Sequence, residues 1–301
     1  MTTIAARLQA VRSRIEAAAK IAGRSAADIR LVAVSKTFAP AAIAEAHAAG
    51  QVAFGENYLQ EALGKIAALG DLGLEWRIAH GQQGEQQREG DAHPSAGVAS
   101  PKGPLLLPIE WHVASPQGGG FASRSDVRPS TGVASPEGPL LCPIEWHYIG
   151  PIQSNKTRQI AEQFHWVHGV DRLKIAERLS IARPAGLGPL DICIQVNLGG
   201  EESKSGVRPD EVLALARAAG GLPGIRLRGL MAIPEPTPDT RLQRSRFRQL
   251  RELKDEMVRQ GIALDTLSMG MSDDLEAAIA EGATLVRVGR AIFGERLSSM
   301  G

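Results

Sequence analysis

The chain has 301 residues, of which 43% are hydrophobic and 22% charged, and its formal net charge is +1. This composition is typical of a globular protein, and the balanced charge excludes an extended basic surface for nucleic acid or an anionic membrane. Two cysteines, Cys142 and Cys193, form neither a disulfide framework nor a metal-ligand cluster, which indicates a reducing cytoplasm. Arginines 7, 12 and 14 interrupt any apolar run, so we expect no signal peptide and no membrane span.

The first elements lead to a lysine. Apolar residues at helical spacing predict a helix over 3–22, and an apolar run at 31–34 predicts a buried parallel strand that continues into Ser35-Lys36-Thr37. Ligands bind at the carboxyl ends of parallel strands, and a half-buried lysine there becomes a better nucleophile because burial disfavours its ammonium form. Lys36 therefore suits a Schiff base with an aldehyde such as pyridoxal phosphate (PLP), although a solvated lysine at a strand end is the simpler reading.

Strands and helices then alternate along most of the chain. A single-domain (β/α)8 barrel is the predicted fold, with an extra N-terminal helix that covers the gap left by a short eighth helix. A doubly wound sheet is the alternative, but it usually has a glycine-rich loop where this chain has Ser35-Lys36-Thr37. Ser154 is a candidate N-cap and Pro209 a candidate first-turn residue. The further predicted strands are 52–57, 145–150, 166–171, 190–197, 227–233, 264–269 and 285–289; the helices are 40–49, 58–69, 154–164, 172–182, 209–219, 239–260 and 273–281.

A proline- and glycine-rich segment interrupts this alternation. Nine of the eighteen prolines lie between His80 and Pro143, and the sequence of 97–112 recurs almost unchanged as 132–147. Two copies are too few for a solenoid, and this density of proline excludes regular helix and central strand. We interpret 77–144 as an irregular insertion before the third strand. We expect that strand to begin at Glu145, which places the insertion at its amino end, opposite the ligand face. If the similar Glu75-Trp76 were the strand instead, the insertion would lie over the ligand.

Polar residues fall at the predicted carboxyl ends of the strands. The turns at 268–274 and 287–291 offer backbone N–H groups to an anion, and in a closed barrel they neighbour the first strand. Each turn alone is better explained by an ordinary helix cap. The polar residues at these ends are Lys36, Asn57, His147, Asn197, Ser268, Ser272 and Arg287.

Short motifs across the chain give a more specific prediction. Together they resemble those of the pyridoxal phosphate homeostasis proteins, the YggS/PROSC family, over residues 1–76 and 145–297. The motifs are Val34-Ser35-Lys36-Thr37, Phe54-Gly55-Glu56-Asn57-Tyr58, the run 147–156, Gln195-Val196-Asn197, Ser203-Lys204-Ser205-Gly206, Gly229-Leu230-Met231, the run 268–274, and Val286-Arg287-Val288-Gly289.

The resemblance implies an alanine-racemase-type barrel that binds PLP through Lys36. It implies that Ser272 and the turn at Gly289 hold the phosphate, that Asn57 lies near the ring, and that Arg287 faces the pyridine nitrogen. The sequence departs from the family pattern at Arg290, where a small hydroxyl residue is usual, and in the insertion. An arginine at this position could still pair with the anion.

An arginine beside the pyridine nitrogen keeps that nitrogen unprotonated and makes PLP a weak electron sink. We therefore expect a protein that binds PLP reversibly and buffers or supplies it, with apo-PLP enzymes as possible recipients, rather than an enzyme. A low-activity amino-acid racemase is the alternative; a cofactor-free barrel that binds another phosphate compound is a third possibility. We expect a cytoplasmic monomer with no metal site, no nucleic-acid partner and no membrane contact.

Overall fold

The computed structural model describes residues 2–70, 143–199 and 205–295. Eight parallel strands, hydrogen-bonded in chain order, close into a barrel, which confirms the predicted (β/α)8 architecture. Closure joins the first strand to the last, with Val32 opposite Arg287. The strands are β1 (Arg30–Val34), β2 (Ala53–Glu56), β3 (Glu145–Tyr148), β4 (Trp166–Val170), β5 (Leu190–Gln195), β6 (Ile225–Met231), β7 (Thr266–Ser268) and β8 (Leu285–Val288).

The helices surround the barrel and bury their apolar faces against it, so the strands are buried on both sides, as parallel strands usually are. A large core fills the layer between helices and sheet, and a smaller cluster that includes Val32, Cys193 and Met231 lies apart from it. The described helices are α1 (Ile4–Ile21), α2 (Pro40–Ala48), α3 (Leu59–Gly70), α4 (Thr157–Gln163), α5 (Leu173–Ala182), α6 (Val212–Gly220), α7 (Thr240–Arg259), α8 (Leu275–Ala280) and α9 (Arg290–Phe293).

The N-terminal helix completes the outer ring, as predicted. The eighth helix, α9, has only four residues, and α1 packs beside both α8 and α9. Arg7 Nε donates to the carbonyl oxygen of Ile292 at 2.6 Å, and Arg14 Nη2 donates to that of Ser272 at 3.0 Å. The helix that precedes the barrel therefore also supports the loops that follow β7 and β8.

Two predicted helix starts were wrong. Ser154 opens a short 3-10 turn, and α4 begins three residues later at Thr157, so Ser154 is not its N-cap. The Ser154 carbonyl instead accepts a hydrogen bond from the Thr157 hydroxyl at 3.0 Å. Pro209 precedes α6, which begins at Val212. In both cases the chain makes a turn before the helix, which periodicity does not reveal.

The third strand begins at Glu145, as predicted, and its amide donates to the Val52 carbonyl at 2.9 Å. The rival Glu75-Trp76 lies outside the described residues, as does the predicted insertion up to residue 142. Among the described helices, none has the length and apolar character that a membrane span needs.

Candidate functional site

Lys36 lies just beyond the carboxyl end of β1 and is half-buried. It lines a cavity of about 350 Å³ together with Gly289 and Arg290 from the chain that follows β8. A side chain at Gly289 would not fit easily, because its Cβ would lie 3.0 Å from the carbonyl oxygen of Val34. The structure thus brings Lys36 and the Gly289 turn together, as expected of neighbouring strands. Val34, Phe38, Gly294 and Glu295 complete the lining.

A buried cluster that the sequence did not predict holds the turn carrying Lys36. Lys65 of α3 donates through Nζ to the Ser35 carbonyl at 2.7 Å and to Glu56 Oε1 at 2.8 Å. The Ser35 hydroxyl donates to the same carboxylate oxygen at 2.6 Å, and Glu61 accepts from the Thr37 amide. Charged side chains therefore bind the backbone on both sides of Lys36: Lys65 binds the Ser35 carbonyl, and Glu61 binds the Thr37 amide.

Glu56 itself is fully buried at the end of β2. Burial raises the pKa of its carboxyl group, and the hydrogen bonds from Lys65 and Ser35 oppose that rise. Both donors reach Oε1, so Oε2 is left buried with no hydrogen-bond partner among the described residues.

Asn57, the next of the predicted binding residues, follows β2, and its backbone packs against a neighbouring segment. A Cβ atom on Gly150 would lie only 2.1 Å from the Asn57 carbonyl oxygen, so the two chain segments pack in direct contact. The side-chain Oδ1 of Asn57 is buried and has no hydrogen-bond partner within the described part of the chain. A buried acceptor of this kind normally finds a donor, which a ligand could supply.

Arg287 is buried within β8. Its Nη1 donates to Ser268 Oγ at 2.5 Å and its Nη2 donates to the Ala232 carbonyl at 3.0 Å. Burial lowers the pKa of the guanidinium to about 10, although the charge of Asp274 opposes this. The group therefore remains a cation at neutral pH and, since a guanidinium has no acceptor, acts only as a donor.

His147 and His168 lie inside the barrel and continue the hydrogen bonding that joins Arg287 to Ser268. Ser268 Oγ lies 2.7 Å from His168 Nδ1, and His168 Nε2 lies 2.9 Å from His147 Nδ1. His147 Nε2 in turn lies 2.6 Å from Glu145 Oε1. Burial lowers the pKa of both histidines, which are therefore neutral at neutral pH.

Sequence reasoning placed His147 at a strand end but missed its connection through His168 to Arg287. The alternation of side chains along β3 and β4 was the available signal, because Glu145 with His147, and Trp166 with His168, share the inward face.

Ser272 and Arg290 are the remaining residues that the family resemblance relates to a phosphate. Ser272 follows β7, and its carbonyl is the acceptor for Arg14 described above. Arg290 is exposed, and its Nη2 lies 2.9 Å from Asp273 Oδ2. Of the five predicted binding residues, only Lys36 and Gly289 line the cavity itself, whereas Asn57, Ser272 and Arg287 lie at other points of the same barrel end. No group of three potential metal ligands occurs within the described ranges.

The model of the family "Alanine racemase, N-terminal domain" matches residues 6–297. A pyridoxal phosphate homeostasis protein from Pseudomonas aeruginosa is 48% identical over 296 residues, covering 98% of this chain and 97% of the relative. The chain belongs to the family of pyridoxal phosphate homeostasis proteins. The Escherichia coli K12 member is 41% identical over 299 residues, with 98% of each chain covered.

A solved structure agrees with this family assignment. PipY from Synechococcus elongatus, determined with PLP bound, is 30% identical and superposes with a TM-score of 0.66. The match covers 97% of this chain and 100% of PipY. The similarity in fold to PipY therefore extends over nearly the whole chain.

Proposed function

We propose that this protein binds PLP reversibly through Lys36 and serves intracellular PLP homeostasis by buffering and supplying the cofactor. The observation that carries the proposal is the cavity at the carboxyl end of the barrel, where Lys36 faces the Gly289 turn. Arg287 lies two residues before that turn and is a permanent buried donor. Family membership supports the same conclusion, since PipY, a solved relative, was determined with PLP bound.

The residues present fit such a ligand. Asn57 carries a buried oxygen that has no donor among the described residues, and the Arg287 guanidinium is a cation that can only donate hydrogen bonds. In the proposal, Asn57 lies near the ring and Arg287 faces the pyridine nitrogen. Ser272 and the Gly289 turn hold the phosphate, and Arg290 pairs with the anion in place of the usual hydroxyl residue.

Bound PLP would supply an aldehyde group, which Lys36 Nζ would hold through a linkage that water reverses. The neutral amine of Lys36 is the form that attacks a carbonyl carbon. Arg287 cannot accept a proton from the ring nitrogen, and its positive charge disfavours a second cation there. The site therefore retains the cofactor without strengthening it as an electron sink.

The alternative, a low-activity amino-acid racemase, is not favoured. Two-base racemisation needs a second proton carrier, and the sequence has two tyrosines. The Tyr148 hydroxyl is committed to the Pro151 carbonyl at 3.1 Å, and Tyr58 is 54% exposed on the surface. Neither tyrosine lines the cavity with Lys36.

The proposal extends to the protein's partners and architecture. In this proposal the protein acts as a cytoplasmic monomer and passes PLP to apo-enzymes. The chain is a single PLP-binding domain, and residues 77–144 are an insertion that enters β3 at its amino end. On this basis a deletion variant that joins Leu74 directly to Glu145 retains PLP, and loss of the cofactor from that variant would contradict this assignment.

The decisive experiment is the absorption spectrum of the purified protein after addition of PLP, before and after borohydride. We expect a visible band that borohydride bleaches in the wild type and that is missing from Lys36→Ala. Lys20→Ala, at an exposed position on α1, is the matched control and should keep the band. A wild-type protein without the band would contradict the proposal.

Homeostasis and catalysis are separated by a second measurement. The loaded protein should restore activity to an apo-PLP enzyme, while incubation with single amino acids should give no steady racemisation above the Lys36→Ala background. Turnover that persists over many equivalents of substrate would favour the racemase instead.

A further inference from the structure

The hydrogen-bonded series inside the barrel connects its two ends. It begins at Glu145, the first residue of β3, and passes through His147, His168 and Ser268 to Arg287 in β8. Both histidines and Ser268 are completely buried, and Arg287 is 3% exposed. Charged or polar groups sealed in a barrel interior must be hydrogen-bonded to one another, because an unpaired group would carry its full desolvation cost.

The two ends of this series fix the direction of every hydrogen bond within it. A carboxylate only accepts, so His147 Nε2–H donates to Glu145. In a neutral ring, His147 Nδ1 must then accept, which requires the Nε2–H tautomer of His168. His168 Nδ1 accepts in turn from the Ser268 hydroxyl. At the other end Arg287 only donates, and Ser268 Oγ accepts from it while donating onward. One arrangement therefore satisfies all five groups.

An additional proton in the series would break this arrangement. If His147 carried protons on both nitrogens, it would donate to His168, and His168 would donate to Ser268. The Ser268 oxygen would then accept hydrogen bonds from both His168 and Arg287. Neither residue could accept a hydrogen bond from the Ser268 hydroxyl in return. The series therefore suits hydrogen bonds of fixed direction rather than the transfer of protons from one group to the next.

The position of His147 is fixed by its surroundings. Its ring stacks on Trp166 at 5.7 Å between centroids, with the planes 10° apart. The guanidinium of Arg228 lies 5.0 Å from the Trp166 ring centroid, and Glu145 also pairs with Arg30 at 2.8 Å. These contacts close the amino end of the barrel and hold the series at the end remote from Lys36.

We propose that Glu145, His147, His168 and Ser268 are positioning residues that orient Arg287 as a donor toward the ring nitrogen of bound PLP. This inference rests on the proposed function, because it concerns the same site. Within the described part of the chain, the guanidinium donates to Ser268 and to the Ala232 carbonyl, so loss of Ser268 removes one of these two hydrogen bonds. The amino end of the barrel thereby influences the electronic state of a cofactor bound at the carboxyl end.

The first test uses the wild-type protein without cofactor. Long-range proton–nitrogen NMR correlations of ¹⁵N-histidine-labelled protein report the tautomer of each ring, with His168→Gln used for assignment. We expect His147 and His168 to be neutral and protonated on Nε2 at neutral pH. An Nδ1–H tautomer or a doubly protonated ring at either position would overturn the proposal, and this result does not depend on PLP binding.

The second test uses PLP labelled with ¹⁵N in its ring. Ser268→Ala should move the ring ¹⁵N signal toward that of protonated PLP and weaken binding about tenfold. Ser180→Ala is the matched control, because Ser180 is also a buried serine whose hydroxyl donates a hydrogen bond. Its acceptor is the Pro223 carbonyl, and Ser180 lies on α5 outside the barrel. It should change neither the ring signal nor the affinity.

His168→Gln offers a conservative rescue, since an amide retains one donor and one acceptor. It should keep the wild-type ring signal, whereas His168→Leu should behave as Ser268→Ala. A wild type that forms no borohydride-sensitive band would overturn the proposed function and the role toward PLP together. A normal wild-type band with an unchanged ring signal in Ser268→Ala would overturn the positioning role alone.

Discussion

The Lys65 ammonium donates to the carbonyl oxygen of Ser35 at 2.7 Å, immediately before Lys36 in the chain. Lys65 is 4% exposed and shares Glu56 with the Ser35 hydroxyl. A buried ion pair adds little stability compared with apolar residues, but removing one partner is costly because the other charge is left unpaired. The pair therefore couples the position of the Lys36 turn to the packing of α3.

We expect Lys65→Met to destabilise the protein by about 3–5 kcal/mol, because Glu56 is left without its cation. The double variant Lys65→Met/Glu56→Gln should recover part of this loss, since it also removes the buried carboxylate. Urea unfolding of the wild type, both single variants and the double variant gives the coupling energy. Additive single-variant effects would show that the two side chains do not act as a pair.

Thr37 adopts φ +70°, the only positive φ of a non-glycine residue in the part of the chain that the structure describes. A β-branched side chain there costs roughly 1–2 kcal/mol, which glycine avoids. We expect Thr37→Gly to be about 1 kcal/mol more stable than Thr37→Ala in chemical denaturation, because alanine keeps the Cβ that causes the strain.

The matched control for Thr37 is Gly23→Ala. Gly23 has a similar φ of +66°, and a Cβ placed on it meets no atom within 4 Å, so its substitution measures the conformational cost without a steric clash. The stability difference between Thr37→Gly and Thr37→Ala should equal in size the difference between the wild type and Gly23→Ala. Equal stability of Thr37→Gly and Thr37→Ala would show that the turn relaxes when the threonine is replaced.

The barrel could be predicted from the sequence because each strand is a short apolar run followed by a helix with recognisable ends. Asp239, for example, precedes α7 and accepts hydrogen bonds from the amides of Arg241 and Leu242. The position of Lys36 beside Gly289 could also be predicted, because closure of eight strands makes β1 and β8 neighbours. The predicted roles of Asn57, Ser272 and Arg287 toward PLP remain predictions.

The buried polar groups could not be predicted in the same way. Lys65 lies on α3, where a lysine is normally solvated, and only the tertiary structure brings Glu56 and Ser35 to it. His168 and Ser268 are 100 residues apart and belong to strands that do not pair with each other. Their contact depends on barrel closure and strand register, which periodicity along one strand does not specify.

Arg290 carries a prediction about salt. Its ion pair with Asp273 is exposed, and such pairs contribute little stability, so Arg290→Ser should change the free energy of unfolding by less than about 0.5 kcal/mol. Near a phosphate its charge should still attract the ligand. We expect the variant to bind PLP about three- to tenfold more weakly at low ionic strength, measured by spectroscopic titration.

The difference caused by Arg290 should shrink at 1 M salt, because the screening length there is only about 3 Å. Lys20→Ala, which removes a positive charge from the exposed surface of α1, is the control for net charge and should show no such loss. Equal PLP affinity of Arg290→Ser and wild type at low salt would contradict the role of Arg290 in binding the anion.

His165 carries a prediction about pH. Its Nδ1 accepts a hydrogen bond from the Trp146 amide at 2.9 Å, and burial lowers the pKa of the ring to about 4. An unfolded chain has a histidine pKa of about 6.5. Between these values the unfolded state binds a proton that the folded state does not, so the free energy of unfolding falls as the pH is lowered from 6.5 to 4.

We expect His165→Asn to remove part of this pH dependence, because the amide oxygen can accept from Trp146 but does not titrate. The wild type should lose about 2–3 kcal/mol more than the variant between pH 6.5 and 4, in urea unfolding measured at constant ionic strength. His147 and His168 are present in both proteins, so the difference between the two stability curves reports the substitution at His165. Parallel stability curves for the two proteins would mean that His165 is not held neutral by the fold.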